Sequence, residues 1–175
     1  ATVDPRIAEF TVTCTAPRKT INLAGLQISI IFIPNEKLRK AFQTEIDNTG
    51  YDEPNALGIV ACEAAYRAGE DWLDQLRAYL LKNLNFLRNF LQEKIPQIHL
   101  VEPEGTYLVW LDCSELGSTG EEQAQFIVDK AGLWLDGGSM FGPSGAAFQR
   151  VNIACPRATL QLALDKLKTA IDGLK

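Results

Sequence analysis

Between residues 70 and 93 the leucines Leu73, Leu76, Leu80, Leu84, Leu87 and Leu91 recur at steps of three and four, the spacing that lays one apolar stripe along an α-helix. It predicts a single helix over 70–93, roughly 36 Å long. A stripe of that length needs a partner surface, and the chain that follows supplies one. Segments 98–101 and 106–111 flank a Pro-Glu-Gly turn and predict a β-hairpin. A helix over 119–130, a strand over 133–135, a glycine-rich stretch from Gly137 to Gly145 and a strand over 148–154 come next. The last helix starts near Pro156, a residue suited to a first turn, and turns Leu160, Leu164, Leu167, Ile171 and Leu174 inward. Residues 69–175 therefore predict an α+β layer structure, helices against a mainly antiparallel sheet.

Upstream the pattern changes. Residues 11–15 alternate in strand fashion, and the β-branched run 28–33, ended by Pro34, suits a strand buried on both faces. Helices are expected over 36–48 and 55–68, separated by the Gly50-to-Pro54 break. No internal repeat or low-complexity linker interrupts the chain, and 1–68 and 69–175 are the expected domains.

Composition narrows the function classes. Apolar residues make up 46% and charged residues 22% of the 175, an ordinary globular balance. Lys and Arg number 17 against 22 Asp and Glu, a net charge of −5 that leaves no electrostatic footprint for nucleic acid or an anionic membrane. No run approaches the ~18 apolar residues of a membrane helix, and the first ten residues lack the basic end and apolar core of a signal peptide, so a cytoplasmic protein is the expectation. Cys14, Cys62, Cys113 and Cys155 lie far apart with His99 as the sole histidine, which argues for reduced, mostly buried thiols and against a metal site. The opening Ala-Thr-Val-Asp-Pro, without methionine and close to a strand, reads as a chain cut in the middle.

Two cationic residues invite a chemical reading. Lys19 lies between two apolar strands, where partial desolvation would leave a free amine able to condense with a carbonyl; alternatively Arg18 and Lys19 simply solvate a turn. Arg150 precedes an apolar strand stretch, and its guanidinium fork suits a carboxylate, although an edge-strand charge facing water has the same local signature. Arg157 is expected to cap or solvate the last helix. Gly105 and Tyr107 are either pocket residues or ordinary hairpin chemistry. Trp72, Trp110 and Trp134 are expected to fill cores, and His99 to be structural.

Thr15-Ala-Pro-Arg-Lys-Thr-Ile-Asn-Leu-Ala-Gly-Leu26 resembles the cofactor-lysine signature of fold-type I pyridoxal-phosphate enzymes, the class I/II aminotransferase-like group, and within it the cystathionine β-lyase (carbon–sulfur lyase) branch. The resemblance continues in family order through Pro54-Asn55, Glu63-Ala-Ala-Tyr66, Glu104-Gly-Thr-Tyr-Leu-Val-Trp-Leu-Asp112, Gly138-Ser-Met-Phe-Gly142 and Arg150-Val-Asn-Ile-Ala-Cys-Pro-Arg157, and so spans essentially the whole chain. It implies an α/β parent fold of which this chain is the carboxy-terminal portion: the end of the large-domain sheet, a long connecting helix and a small α+β domain. Pyridoxal 5'-phosphate is the implied cofactor, with Lys19 its covalent attachment and proton carrier, Arg150 the receptor of the substrate carboxylate, and Gly105 and Tyr107 facing the substrate. A homodimer and a small amino-acid substrate follow from the same likeness.

The match has departures. Arg18 stands where the family commonly has a phosphate-binding serine, and Ile21 where it has an aromatic residue. Arg18 would then either contact the cofactor phosphate or turn to solvent. Gln27, where many aminotransferases place a phosphate-binding arginine, favours the lyase branch. The family's chain is roughly twice this length, and the parts it adds include the acid for the pyridine nitrogen, the ring-stacking aromatic and the phosphate-cradling turn, so this chain alone is expected to be inactive. The implied reaction is α,β-elimination of a cysteine-type amino acid, with transamination as the alternative. A non-catalytic interaction module that kept the small-domain fold is the reading of another class.

Overall fold

The computed structural model describes residues 3–51, 53–118 and 120–174, so the first two residues of the chain and the expected helix start at Thr119 lie outside the described residues. The chain divides into two compact units after Gln75, within a helix.

In the first unit Asp4 caps the short helix α1 (Pro5–Ala8), its Oδ1 accepting the Arg6 N–H at 2.8 Å. Strands β1 (Thr13–Thr15) and β2 (Ile30–Phe32) pair antiparallel, Thr13 opposite Phe32 and Thr15 opposite Ile30. Helix α2 (Glu36–Thr49) starts where Asn35 Oδ1 accepts the Leu38 N–H and stops at Gly50, whose φ of 65° suits a residue without Cβ. Helix α3 (Ala56–Ala68) starts at Asn55 in the same way. Gly58 on α3 lies against the turn before β2: a Cβ there would meet the Leu26 carbonyl oxygen at 2.8 Å. The double-sided burial expected of the second strand is not realised. Ile31 and Phe32 are exposed, and β2 has β1 as its one strand neighbour among the described residues.

Helix α4 (Glu70–Lys94) matches the leucine stripe and carries the chain into the second unit. There β3 (His99–Leu100), β4 (Leu108–Asp112), β5 (Asp136–Gly137) and β6 (Phe148–Asn152) form an antiparallel sheet in the order β3-β4-β6-β5. Helix α5 (Gly120–Phe126) runs on into a π turn, Ile127–Ala131, and α6 (Arg157–Asp172) follows Pro156, which sits just outside its first turn. One face of the sheet makes the core: Val109 and Leu111 of β4 pack with Leu87 and Leu91 of α4 and with Leu160, Leu164 and Leu167 of α6. The other face of β4 presents Leu108 and Trp110, both half-buried, as the period of two requires.

The buried polar side chains are all satisfied among the described residues. Asn83 of α4 donates from Nδ2 to the carbonyls of Ile153 and Cys155, both at 2.9 Å, and its Oδ1 accepts the Arg157 Nε–H at 2.9 Å. Arg157 is thereby held, with its guanidinium 4.3 Å over the Phe86 ring, and is not the solvated first-turn charge expected of it. Gln149 donates to Gln123, which donates in turn to the Cys113 and Ser118 carbonyls. The fifth strand forms two or three residues later than expected, and Trp134 is 92% exposed with Trp72 also exposed, so neither fills a core. Leu174 is likewise exposed while the other four inward positions of α6 are buried. The four cysteines are free thiols, Cys62 and Cys113 buried, Cys155 half-buried and Cys14 exposed.

Candidate active site

Lys19 sits in the turn that follows buried Pro17, closed by the Ile21 N–H donating to the Pro17 carbonyl and the Leu23 N–H to that of Arg18, both at 3.0 Å. Asn22 and Gln27 take left-handed conformations (φ 56° and 51°) that bring the chain round to β2. The Lys19 and Arg18 side chains are both exposed and neither has a hydrogen bond or ion pair among the described residues. The desolvation expected around Lys19 is therefore absent within this unit; what the turn provides is an unencumbered amine beside a second cation.

In the second unit the sheet face opposite the core carries a cleft of about 410 Å3, lined by Gly105 and Thr106 of the hairpin turn, Glu102, Glu104, Trp110 and Arg150 among others. A smaller hollow of about 260 Å3 continues it past Trp110 to Phe141, Ser144 and Phe148. Sheet register explains the grouping: Trp110 of β4, Arg150 of β6 and Asp136 of β5 are cross-strand neighbours in one row. The Arg150 Nε–H and Nη2–H both donate to a single atom, Asp136 Oδ2, at 3.1 and 2.5 Å. The Phe141 ring lies 4.7 Å from the guanidinium carbon and is itself met edge-on by Trp110. On the rim, Arg88 forks onto both oxygens of Glu102 at 2.7 Å, which holds that carboxyl below its ordinary range.

Of the residues singled out from sequence, Arg150 and Gly105 come together at this cleft. Tyr107 does not join them: it is on the other face of the sheet, packed against the core, with its carbonyl accepting the Ile153 N–H at 3.0 Å. Strand alternation accounts for this, since Tyr107 falls on the face of Val109 and Leu111, which is the core face, and not on that of Leu108 and Trp110. His99 is exposed and its Nε2 pairs with Glu115 at 2.8 Å. Sequence reasoning missed Asp136, Phe141 and Trp110 as neighbours of Arg150. Gly138-Ser-Met-Phe-Gly142 drew notice as a motif, but the strand pairing that carries Asp136 to Arg150 is non-local and leaves no local signal. Among the described residues no cluster of His, Cys, Asp and Glu could hold a metal ion.

Comparison with known proteins finds a likeness that covers nearly the whole chain. Cystathionine beta-lyase PatB of Bacillus subtilis is 39% identical over 171 residues, 98% of this chain and 44% of that protein. The solved structure of cystalysin from Treponema denticola, which contains a pyridoxal 5'-phosphate cofactor, superposes with a TM-score of 0.93 at 35% identity over 99% of this chain and 44% of that one. Over nearly its whole length the chain is similar to pyridoxal-phosphate-dependent enzymes of the aminotransferase-like fold. It spans less than half the length of these relatives. An aspartate aminotransferase of Pyrococcus horikoshii is a more distant relative, 22% identical over 172 residues. No family model matches the chain. No helix among the described residues is long and apolar enough to cross a membrane.

The residues at the Lys19 turn fit the family's cofactor in two respects. A primary amine free of partners is what an aldehyde needs, and the adjacent guanidinium of Arg18 is complementary to a phosphate.

Proposed function

We propose that this chain carries the cofactor lysine, Lys19, and the substrate-carboxylate receptor, Arg150, of a pyridoxal-phosphate-dependent carbon–sulfur lyase. The reaction would split a cysteine-type amino acid such as cystathionine, with one water, into a thiol, pyruvate and ammonia. On this reading residues 1–68 belong to a large cofactor-binding domain, 69–175 form the connecting helix and small domain, and the rest of the catalytic machinery lies outside this chain. A cytoplasmic homodimer is part of the same reading.

The observation that carries it is the state of Arg150. A guanidinium presents two edges to acceptors, one made by Nε and Nη2 and the other by Nη1 and Nη2. Asp136 takes the first through one oxygen, and the second has no partner among the described residues, at a residue that lines a cleft. A carboxylate meets that edge through two parallel charge-assisted hydrogen bonds.

Bound pyridoxal phosphate supplies an electron sink for the breaking Cα–H bond. The Lys19 amine, once free, takes the Cα proton as a base held at one position. Arg150 fixes the substrate carboxylate and with it the rotation about the Cα–N bond, which decides the bond that breaks. Loss of the β-thiolate then follows from the electron pair left by that proton. Arg18 would meet the cofactor phosphate, and Gly105, without a side chain, leaves the cleft mouth open to substrate.

Transamination is the second reading, favoured by the aminotransferase relative; it uses the same lysine and arginine and differs in where the proton returns. Borohydride reduction of the full-length protein with pyridoxal phosphate, followed by peptide mapping, tests the common core. The label is expected on Lys19, and Lys19→Ala is expected to retain no reduced cofactor. A folded protein that incorporates the cofactor at another lysine would refute the assignment. Supplying cystathionine and a keto acid in parallel separates lyase from transaminase by whether pyruvate or a new amino acid accumulates.

A further inference from the structure

We propose that Asp136 is a positioning residue, which with Phe141 clamps Arg150 so that the Nη1/Nη2 edge of the guanidinium, and not the Nε edge, is offered to a ligand carboxylate. The inference rests on the reading of Arg150 as carboxylate receptor and goes beyond it by saying what sets that residue's orientation.

An arginine side chain has four rotatable bonds and ~2 kcal/mol of rotamer entropy, so an unsupported arginine at a cleft samples many orientations. Three contacts restrict this one. Asp136 Oδ2 accepts from Nε and Nη2, which fixes the plane of the fork and uses up its inner edge. Phe141 lies against the guanidinium with its ring centre 4.7 Å from the central carbon, which restricts rotation out of that plane. Trp110, edge-on to Phe141 at 5.2 Å between ring centres, keeps that ring in place. The backbone prepares the clamp, since antiparallel register sets Asp136 directly opposite Arg150. Arg150 keeps a quarter of its side-chain surface exposed, so the fork is supported without being sealed.

A negative charge beside an anion receptor looks counterproductive, because it offsets part of the attraction. It becomes intelligible if the role of Asp136 is geometric. Only one of its oxygens is used, so a neutral acceptor of the same shape can do the same work. Asparagine meets that requirement and alanine does not.

The test uses the holoenzyme of the full-length protein with propionate, which carries the carboxylate without the amine, as a competitive inhibitor. Asp136→Ala is expected to weaken propionate inhibition and raise KM for the amino acid by about tenfold, the loss of one oriented hydrogen-bonded edge, with kcat moving less. Asp136→Asn is expected to restore most of the inhibition. In an Arg150→Met background Asp136→Ala should add nothing, because the residue it acts through is gone. A merely structural role would instead appear in both backgrounds and would not be rescued by asparagine. If Arg150→Met leaves propionate inhibition intact, the carboxylate reading of Arg150 falls, and this inference with it. If Arg150→Met abolishes inhibition while Asp136→Ala preserves it, Arg150 stands and the positioning role of Asp136 is wrong.

Discussion

Single residues behave here according to what surrounds them more than what they are, and the thiols show it most directly. Cys113 is enclosed behind β4, and burial pushes its thiol up to about 12. Burial also raises Cys155, to a lesser degree, against a backbone N–H from Leu160 that pulls the other way. Cys14 lies exposed on β1. Since the thiolate is the reactive form, an alkylating reagent near pH 8 should modify Cys14 first and Cys155 more slowly, with Cys62 and Cys113 reacting only on unfolding. Mass spectrometry of a labelling time course checks this, and early modification of Cys113 would show that its enclosure opens readily. The expectation of mostly buried thiols thus holds for the two that lie in packed elements. Cys14 escapes because nothing in the local alternation of residues 11–15 tells whether a strand will be covered.

At the scale of elements, the joint between α4 and α6 depends on Asn83. Its amide donates to two carbonyls beyond β6 and accepts from Arg157, and it is fully buried. Asn83→Ala strands both carbonyls and the Arg157 Nε–H while opening a void, a cost of ~2–4 kcal/mol given the usual penalty for unmade buried hydrogen bonds. Urea unfolding should show a lower midpoint of that size, and a change below ~0.5 kcal/mol would mean that water replaces the amide at no cost. The long helix itself was legible because leucines at steps of three and four admit one interpretation. Asn83 was not, since a polar residue on the flank of an apolar stripe looks like surface until α6 and the segment after β6 are in place. The strand expected over 133–135 also slipped for a physical reason. Gly138 passes so close to Gly145 that a Cβ would lie 2.1 Å from its carbonyl oxygen, so the glycine loop packs tightly on itself and β5 forms at its edge. The pairing of β5 with β6, which brings Asp136 to Arg150, belongs to tertiary structure and could not be read from either segment alone.

For the molecule as a whole, the two units differ in how well each covers its own apolar surface. The second unit has a core of fully enclosed side chains, Leu87, Val109 and Leu111 among them. In the first unit the first two turns of α3, before the exposed Glu63–Arg67 ion pair, are apolar all round: Gly58 and Cys62 are buried, yet Leu57 at 70%, Val60 at 66% and Ile59 at 48% remain exposed. Phe32 on β2 adds another exposed large side chain, 55% accessible, on a sheet that among the described residues has two strands and unpaired outer edges. Helical turns hydrophobic on every side are ordinarily buried, and full burial of each such side chain is worth ~1.5–3 kcal/mol. That driving force acts between molecules when nothing within the unit satisfies it. The 175-residue chain by itself should therefore self-associate at micromolar concentrations, and Leu57→Lys with Val60→Lys should shift it toward the monomer while leaving the circular dichroism unchanged. Sedimentation velocity over a concentration series decides the point. A chain that sediments as a monomer throughout would overturn the idea that these exposed side chains drive association. Association abolished by the paired lysines would identify α3 as the face that ordinarily meets another surface.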